Sequence, residues 1–297
     1  MYSIDIMDTR KVAVIGAGRW GKNIIRTLTQ DCPSATLAQI VYSGSKATAE
    51  FLAAECPNIP HTTELSTLLT DSAITHVFIA TPIPSHFELA KQCLAAGKHT
   101  FVEKPLTLTE TEVNELHTLA ESHKLQLVSG YVFLFDESLI KLAEILTSKH
   151  NIALQMNWEK WGSFDSALTE NLLVHELAIA HVLLGDLERL GDIELCEHQC
   201  TITVAYEHGQ ATIKIDREQQ KKRKWLTATV DDDQYELESG TLTYTNAADG
   251  TSTLHSSDVT TLLKNECEAF LSDKQTFDWQ NIDREVATIL EQLNARP

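Results

Sequence analysis

The sequence has no long apolar run and few cysteines. No stretch of about 18 consecutive apolar residues occurs in the 297-residue chain, so no transmembrane helix is predicted. The first residues, MYSIDIMDTRK, lack the basic-then-apolar order of a secretory signal. The six cysteines are scattered, which favours reduced thiols. We therefore expect a cytoplasmic protein.

Positive charge is scarce. The 24 Lys and Arg residues stand against 42 Asp and Glu residues, which gives a formal net charge of −18. A protein that binds nucleic acid needs a basic surface for the phosphates, and an acidic membrane surface repels an acidic protein. We expect neither nucleic acid nor a membrane as a partner.

Low-complexity tracts and internal repeats are also missing. The apolar fraction of 43% is that of a globular protein, and the length exceeds what one compact core usually holds, so two domains are predicted. Cys196 and Cys200 flank Glu197-His198-Gln199, but this segment resembles a strand and lacks a second ligand pair. No metal site is predicted.

The first part of the chain alternates between short apolar runs and helical segments. Apolar runs at Lys11–Ile15, His76–Ala80 and His99–Glu103 are typical of buried parallel strands. The segments between them, such as Ser85–Ala96, have helical periodicity. This order predicts βαβ units in an α/β, Rossmann-type, doubly wound parallel sheet, which we assign to a domain at residues 1–129.

After about residue 130 the pattern changes. Four segments between residues 188 and 254 alternate apolar and polar residues and are separated by turn residues, which predicts antiparallel strands. A long helix at Glu170–Leu184 precedes them, and two helices close the chain. We predict a second, α+β domain at residues 130–297 for substrate binding and oligomerisation.

Gly16-Ala17-Gly18-Arg19-Trp20-Gly21 is a G-x-G-x-x-G motif. It follows an apolar strand and opens a helix, the context in which this motif binds a dinucleotide. Gly16 permits the tight turn, Gly18 lets a pyrophosphate approach the backbone, and Gly21 lets the helix lie close to the strand. The first amides of the helix, at Arg19 and Trp20, then point at the phosphates.

The end of the second strand bears on the choice of cofactor. Folds that prefer NAD usually place an acid here for the ribose 2′-hydroxyl. No acid occurs between Gln39 and Ala49, whereas Ser43, Ser45 and Lys46 suit a 2′-phosphate. Ser45 is equally suited to cap the next helix. The cofactor is predicted to be NAD or NADP, with a preference for NADP.

The segment HTFVEKP delivers Glu103, Lys104 and Pro105 at the carboxyl end of a strand, where ligands bind in open parallel sheets. The residue before a proline is restricted to extended geometry, and the bond between them is sometimes cis. A lysine held there can hydrogen-bond a carbonyl or hydroxyl oxygen and lower its pKa. A surface lysine at a strand end is the alternative.

Gly16–Gly21 together with VFIATPIPSHFELAKQCLAAGKHTFVEKPLTLT at Val77–Thr109 resembles the glucose–fructose oxidoreductase / inositol dehydrogenase / MocA family. The resemblance is dense over the first 130 residues. It implies a Rossmann domain, an open-faced antiparallel second sheet, and NAD(P)-dependent redox chemistry at a sugar or cyclitol carbinol. It also implies that Lys104 is the catalytic lysine and that Ala80, Thr81, Pro82, His86 and Glu103 line the cofactor groove.

In that family a helix of the second domain carries an acid four residues before a histidine. Here Asn171 and His175 have this spacing and face the same way on the predicted helix. His175 is the candidate general acid or base because its pKa lies near working pH. Asn171 can orient a hydroxyl but cannot take a proton. Tyr131, at the junction between the domains, is a further candidate for substrate binding.

These observations predict an enzyme that transfers a hydride between nicotinamide and a carbinol or ketone carbon of a sugar, amino sugar or nucleotide-linked sugar. A non-catalytic NAD(P)-binding regulatory protein of the same fold is one alternative. A reductase of a non-sugar substrate is another, and it would have an aromatic-rich pocket with residues such as Phe133, Phe135 and Trp161.

One face of the second sheet is expected to be free of its own helices. We predict that Leu226, Val230 and Tyr235 give this face apolar character. An exposed apolar face favours pairing with a second subunit, so a homodimer or homotetramer through the carboxy-terminal sheet is predicted.

Overall fold

The computed structural model describes residues 9–162, 164, 166–248, 250–272 and 276–295. The chain separates into two compact units. The first comprises Met1–Gly130 and Leu263–Asp283, and the second comprises Tyr131–Leu262 and Arg284–Pro297. The second unit begins next to the predicted boundary at residue 129, but Leu263–Asp283 pack with the first unit.

The first unit alternates strands and helices along the chain. Its strands are β1 (Arg10–Ile15), β2 (Ala35–Val41), β3 (His61–Thr62), β4 (His76–Ile79), β5 (His99–Glu103) and β6 (Leu127–Gly130). Its helices are α1 (Arg19–Gln30), α2 (Lys46–Glu55), α3 (Leu65–Thr70), α4 (His86–Ala95) and α5 (Glu110–His123), with a 3₁₀ turn at Ile83–Ser85.

The six strands form one parallel sheet in the order β3-β2-β1-β4-β5-β6. All four residues of β4 are buried, as expected of a strand covered by helices on both faces. The strand order reverses between β1 and β4, which is where such sheets bind ligands. The predicted Rossmann-type parallel sheet is confirmed.

A late segment of the chain completes the core of the first unit. Helix α8 (Leu262–Leu271) brings the ring of Phe270 to 5.1 Å from Phe78 and 5.9 Å from Phe101, measured between ring centroids. These aromatic contacts explain why Leu263–Asp283 belong with the first unit although they follow the second sheet in sequence.

The second unit contains an eight-stranded sheet. Its strands are β7 (Ile152–Trp161), β8 (Leu187–Leu195), β9 (Gln199–Tyr206), β10 (Gly209–Asp216), β11 (Glu218–Val230), β12 (Asp233–Glu238), β13 (Thr241–Asn246) and β14 (Gly250–Ser256). Their order is β14-β13-β12-β11-β7-β10-β9-β8, and every neighbouring pair is antiparallel except β7 with β10. The predicted, mainly antiparallel second sheet is confirmed.

The helices of the second part of the chain are α6 (Glu137–Leu146) and α7 (Val174–Leu184), and α9 (Trp279–Asn294) closes the chain. Shorter turns lie at Val132–Phe135, Thr169–Leu173 and Val259–Thr261. Among the residues that the structure describes, no helix has the length and apolar character needed to cross a membrane.

One expectation about the sheet is wrong. Leu226, Val230 and Tyr235 are only 5%, 5% and 6% exposed, so they lie on the covered face of the sheet. The residues between them, including Thr227 and Thr229, are half-buried and point to the other face. The apolar residues of an antiparallel strand face its own core, and the outer face is polar.

Candidate cofactor and substrate sites

The glycine turn closes tightly between the ends of β1 and β4. Gly16 has a φ of +97°, and a Cβ atom there would lie 2.5 Å from the carbonyl oxygen of Ala80. The amide of Gly16 donates to the carbonyl of Val41, and the amide of Ala80 donates to that of Ile15, both at 2.8 Å. The turn therefore tolerates only glycine at residue 16.

The other two glycines of the motif differ in their surroundings. A Cβ atom on Gly21 would lie 2.1 Å from the carbonyl oxygen of Gly16, so α1 packs directly on the turn. A Cβ atom on Gly18 would meet nothing within 4 Å, and no side chain caps α1 at its first residues. The open space beside Gly18 thus faces uncapped helical amides, the arrangement that binds a phosphate.

Arg19 and Trp20 are exposed at the start of α1. The indole Nε1 of Trp20 donates a hydrogen bond to Oε1 of Glu103 at the end of β5. The glycine turn is therefore joined directly to the strand that precedes Lys104.

The residues after β2 are exposed. Ser45 is the N-cap of α2, and its hydroxyl oxygen accepts a hydrogen bond from the amide of Thr48. Lys46 lies 3.8 Å from Glu50 in an exposed ion pair, and Ser43 is exposed. The capping role of Ser45 is confirmed, which leaves Ser43 and Lys46 as the groups whose contacts in the structure are compatible with a 2′-phosphate.

The segment after β4 is held by His86. Its Nε2 atom lies 2.9 Å from the carbonyl oxygen of Thr81, and its Nδ1 atom lies 2.9 Å from that of Pro105. The ring is 1% exposed, and burial lowers its pKa. His86 thus links the loops after β4 and β5. The other predicted groove residues of this segment, Ala80, Thr81 and Pro82, are half-buried or exposed at the strand end.

Glu103 and Lys104 differ in exposure. Glu103 is buried, and burial raises the pKa of its carboxyl to about 7, against the opposing effects of Lys104 and of the hydrogen bond from Trp20. Lys104 is half-buried, and the Lys104–Pro105 peptide bond is cis. The strand therefore ends in a buried carboxyl that is followed directly by a half-buried lysine.

In the second unit His175 lies among aromatic rings. Its imidazole centroid is 5.0 Å from the ring of Phe133, 6.0 Å from that of Trp158 and 6.3 Å from that of Tyr131. Both His175 and Tyr131 are buried. The structure thus brings two of the predicted substrate residues together in an aromatic box, which we define as Tyr131, Phe133, Trp158 and His175.

Asn171 lies on a π-helical turn, Thr169–Leu173, which directly precedes α7. Its Nδ2 atom donates to the hydroxyl of Ser166 at 2.8 Å. The sequence predicts a continuous helix here, but the wider turn inserts ahead of His175. Such turns are frequent at functional sites.

Sequence reasoning did not identify Lys224. On β11 this lysine stands opposite Trp158 of β7 and forms an ion pair with buried Glu176, the neighbour of His175. Its Nζ atom lies 4.1 Å from the ring centroid of Phe133 and 4.2 Å from that of Trp158, and burial lowers its pKa. Lys224 alternates along β11 with Leu226 and Ala228, whose side chains face the interior. This alternation is the sequence signal that could have predicted that Lys224 faces inward.

The first unit has the parts that a dinucleotide needs. The space beside Gly18 admits a pyrophosphate, the uncapped start of α1 supplies amide donors, and the loop after β4 and Lys104 follow at adjacent strand ends. The residues present therefore fit a nicotinamide dinucleotide. Lys104 belongs to the first unit, and Asn171 and His175 belong to the second.

Comparison with known proteins agrees with this reading. The family model described as oxidoreductase family, NAD-binding Rossmann fold, matches residues 10–131. The uncharacterized oxidoreductase YdgJ of Escherichia coli is 37% identical over 115 residues, which are 39% of this chain and 32% of that protein. The chain spans about a third of the length of the first curated relatives that it matches.

Solved structures match nearly the whole chain. UDP-N-acetylglucosamine 3-dehydrogenase GnnA from Acidithiobacillus ferrooxidans superposes with a TM-score of 0.83 at 20% identity, over 95% of each chain. A scyllo-inositol dehydrogenase from Lactobacillus casei, solved with NAD(H) and scyllo-inositol, has a TM-score of 0.80 at 16% identity, over 95% of each chain. At these identities the likeness is one of fold. Residues 10–131 match the model of the Gfo/Idh/MocA oxidoreductase family, and the resemblance drawn from the sequence is confirmed over that part of the chain.

Proposed function

We propose that this protein is an NAD(P)-dependent oxidoreductase that transfers a hydride between nicotinamide and a carbinol or ketone carbon of a sugar, amino sugar or nucleotide-linked sugar. The observation that carries the proposal is the open space beside Gly18 at the uncapped start of α1, at the strand ends that also carry Lys104. The sugar-acting proteins among its structural neighbours support the substrate class.

NAD(P), when bound, supplies the hydride donor or acceptor. Gly16, Gly18 and Gly21 would shape the turn around its pyrophosphate, with the amides of Arg19 and Trp20 donating to the phosphates. The loop that carries Ala80, Thr81 and Pro82 would line the groove, with His86 and Glu103 holding its walls. Ser43 and Lys46 are the groups that we expect to favour NADP.

Lys104 and His175 are proposed to do the acid–base work. The ammonium of Lys104 donates a hydrogen bond to the substrate oxygen, which withdraws electron density from that oxygen. In the direction of ketone reduction, His175 gives a proton to the oxygen, and in the direction of alcohol oxidation it accepts that proton. Asn171 and Tyr131 orient the substrate hydroxyls.

The test is turnover with a panel of keto-sugars, followed by loss of NAD(P)H absorbance. Lys104→Met and His175→Ala should each lower kcat by about 10²–10⁴-fold, the usual contribution of general acid–base catalysis, while NAD(P)H binding is kept. Lys91→Met and His123→Ala change surface residues of α4 and α5 and serve as matched controls. Normal turnover in both active-site variants would contradict the assigned roles.

Two other functions are outcomes of the same panel. NAD(P)H binding without turnover of any substrate would favour a non-catalytic regulatory protein. The aromatic box around His175 favours a second candidate, a reductase of a planar, non-sugar substrate, because aromatic rings stack on flat apolar groups. Turnover of a conjugated imine or a linear tetrapyrrole, with none of the keto-sugars, would select it.

We also propose that the chain forms a homodimer or homotetramer through its carboxy-terminal sheet. The outer face carries threonines such as Thr203, Thr227 and Thr229, which are half-buried in the isolated chain. A second copy would pack on this polar face and not on the apolar residues named from the sequence, which the chain already covers.

A further inference from the structure

Three side chains that can bind a metal meet at the carboxyl end of α7 in the second unit. His181 lies on α7, Asp186 lies in the loop between α7 and β8, and Glu285 lies on α9. One donor atom from each residue, an imidazole nitrogen or a carboxylate oxygen, lies within 4.8 Å of the other two. We call these three residues the α7 cluster. None of them takes part in the proposed hydride transfer.

Two members of the α7 cluster are held in fixed positions. The Oε1 atom of Glu285 accepts a hydrogen bond of 2.6 Å from the amide of Leu187, and its Oε2 atom lies 2.8 Å from Nδ1 of His181. The side chains of His181 and Glu285 are only 11% and 8% exposed. Packing and a backbone amide thus orient both donors, which is how proteins prepare metal ligands.

Asp186 supplies the third donor from an anchored loop. Its carbonyl oxygen accepts a hydrogen bond of 3.0 Å from the amide of Glu207, whereas Asp186 itself is exposed. Bonds from Zn²⁺ to nitrogen and to carboxylate oxygen are about 2.0–2.2 Å long, so tetrahedral ligands lie about 3.4 Å apart. An inward shift of about 1 Å by the exposed carboxylate therefore closes the cluster around an ion.

The charge around the α7 cluster favours a cation. Within the described part of the chain, neither Asp186 nor Glu285 forms an ion pair with a lysine or an arginine. Glu207 adds a third carboxylate to the loop, since a Cβ atom on Gly185 would lie 3.0 Å from its Oε2 atom. His208, whose Nε2 atom is 3.8 Å from Glu207, is also titratable here. A divalent ion would offset this local excess of negative charge.

A buried hydroxyl group without a partner is directed toward the same place. Tyr206 is 2% exposed, and its hydroxyl has no hydrogen-bond partner among the residues described. On β9 it lies directly opposite Leu187, whose amide donates to Glu285. Its side chain points to the covered face of the sheet, as those of Ile202 and Val204 do. Burial, and then the negative charge of Glu285, raise the pKa of Tyr206, which agrees with this placement. A water molecule on a bound ion would give the hydroxyl its partner.

We propose that His181, Asp186 and Glu285 bind one divalent transition-metal ion of the Zn²⁺ type. One imidazole nitrogen and two carboxylate oxygens form a donor set that Zn²⁺ accepts, with water as the fourth ligand. The ion takes the place of the hydrogen that Nδ1 of His181 shares with Oε2 of Glu285, and that proton passes to the solvent.

The proposed ion has a structural role. His181 and Glu285 are 104 positions apart in the sequence, so the ion joins α7 and the loop that follows it to α9. Binding to the folded chain alone stabilises that chain. The sequence considered only Cys196 and Cys200 for a metal, because nothing in the spacing of the α7 cluster shows that its members meet.

The test is zinc binding by the untagged full chain, stripped with EDTA and dialysed against micromolar Zn²⁺. Elemental analysis should find one tightly bound Zn²⁺ per wild-type chain. Asp186→Asn removes an exposed donor and should lower the affinity more than about tenfold, since even residues that only support a ligand contribute that much. Asp192→Asn changes an exposed acid of β8 and is the matched control, which should bind as the wild type does.

Thermal unfolding gives a second readout. Zn²⁺ at a hundredfold excess over its Kd should raise the melting temperature of the wild type by about 5–10 °C, and that of Asp186→Asn by less. His181→Ala should also lose the ion, and Asp186→Asn carries the test if the histidine variant does not fold.

Three results would each overturn the proposal. They are a wild type that retains no zinc, equal affinities of Asp186→Asn and Asp192→Asn, and loss of the zinc in Cys196→Ser, which would place the ion at the exposed thiol. The inference does not rest on the proposed function. Since these measurements need neither cofactor nor substrate, their failure leaves the turnover test of the oxidoreductase intact.

Discussion

Alanine at Gly18 and at Gly21 should separate cofactor binding from stability. Gly18 has a φ of −72°, which alanine adopts without strain, and its added methyl group would meet no protein atom within 4 Å. The Gly18→Ala protein should therefore fold and melt within a few degrees of the wild type. The methyl group would occupy the space that we assign to the pyrophosphate.

The size of the binding defect follows from crowding. Forcing one extra methyl group into a close contact costs about 1–3 kcal/mol, which is roughly fivefold to 150-fold in affinity for NADH or NADPH. Gly21→Ala acts on the fold, because its methyl group would lie 2.1 Å from the carbonyl oxygen of Gly16. A similar cost there should lower the melting temperature by about 2–12 °C.

The assay is titration with NADH and NADPH followed by nicotinamide fluorescence, beside thermal unfolding followed by circular dichroism. Unchanged affinity of Gly18→Ala for both nucleotides would refute the placement of the pyrophosphate at the start of α1. An unchanged melting temperature for Gly21→Ala would refute the packing argument for the third glycine.

Four further outcomes are expected. Lys224→Met leaves buried Glu176 without its ion pair and should lower the free energy of unfolding by about 3–5 kcal/mol. The double variant Lys224→Met with Glu176→Gln should restore most of that loss. Equal stability of the single and the double variant in denaturant would count against this explanation. Lys46→Ala should weaken NADPH binding more than NADH binding, and equal losses would argue against a 2′-phosphate site. Thr227→Arg should reduce an oligomer to the 33.1 kDa chain by light scattering, whereas a wild type that is already monomeric at micromolar concentration would remove the basis for the proposed oligomer. Burial raises the pKa of Glu103 from 4.5 to about 7, so the native state binds the proton more tightly than the unfolded state. The free energy of unfolding should therefore fall as the pH rises from about 4.5 to about 7. Glu103→Gln should flatten this pH dependence, and a variant with the same slope as the wild type would contradict the argument.

The parallel sheet could be predicted from the sequence because its strands are short apolar runs between glycine turns and amphipathic helices. The strand at His99–Glu103 was predicted with the bounds that the structure has. The two-residue strand β3, His61–Thr62, was not predicted, since a segment of that length has no periodicity to read. The family resemblance supplied the role of Lys104, which composition and spacing alone left open.

The second unit was harder to predict in detail. Period-two alternation identified its strands, but alternation alone does not tell which face the helices cover, and Leu226, Val230 and Tyr235 were assigned to the wrong one. The π-helical turn at Thr169–Leu173 depends on tertiary packing and has no local sequence signal of its own.

The burial of charged residues such as Lys224 could not be predicted for a different reason. In the sequence Lys224 resembles an ordinary surface lysine, and only its ion pair with Glu176 on a distant helix explains its position. Its partner Glu176 is 48 positions away in the sequence. One sequence without its contacts does not reveal such pairs.

The placement of Phe270 has a consequence for how the protein is made. The ribosome completes all six parallel strands long before it reaches α8. The rings of Phe78 and Phe101 therefore lack their contact with Phe270 while the whole second sheet is synthesised. The amino-terminal unit can then complete its interior only after α8 has been synthesised. A nascent chain stalled between residues 131 and 262 should be the species that chaperones hold and proteases cut.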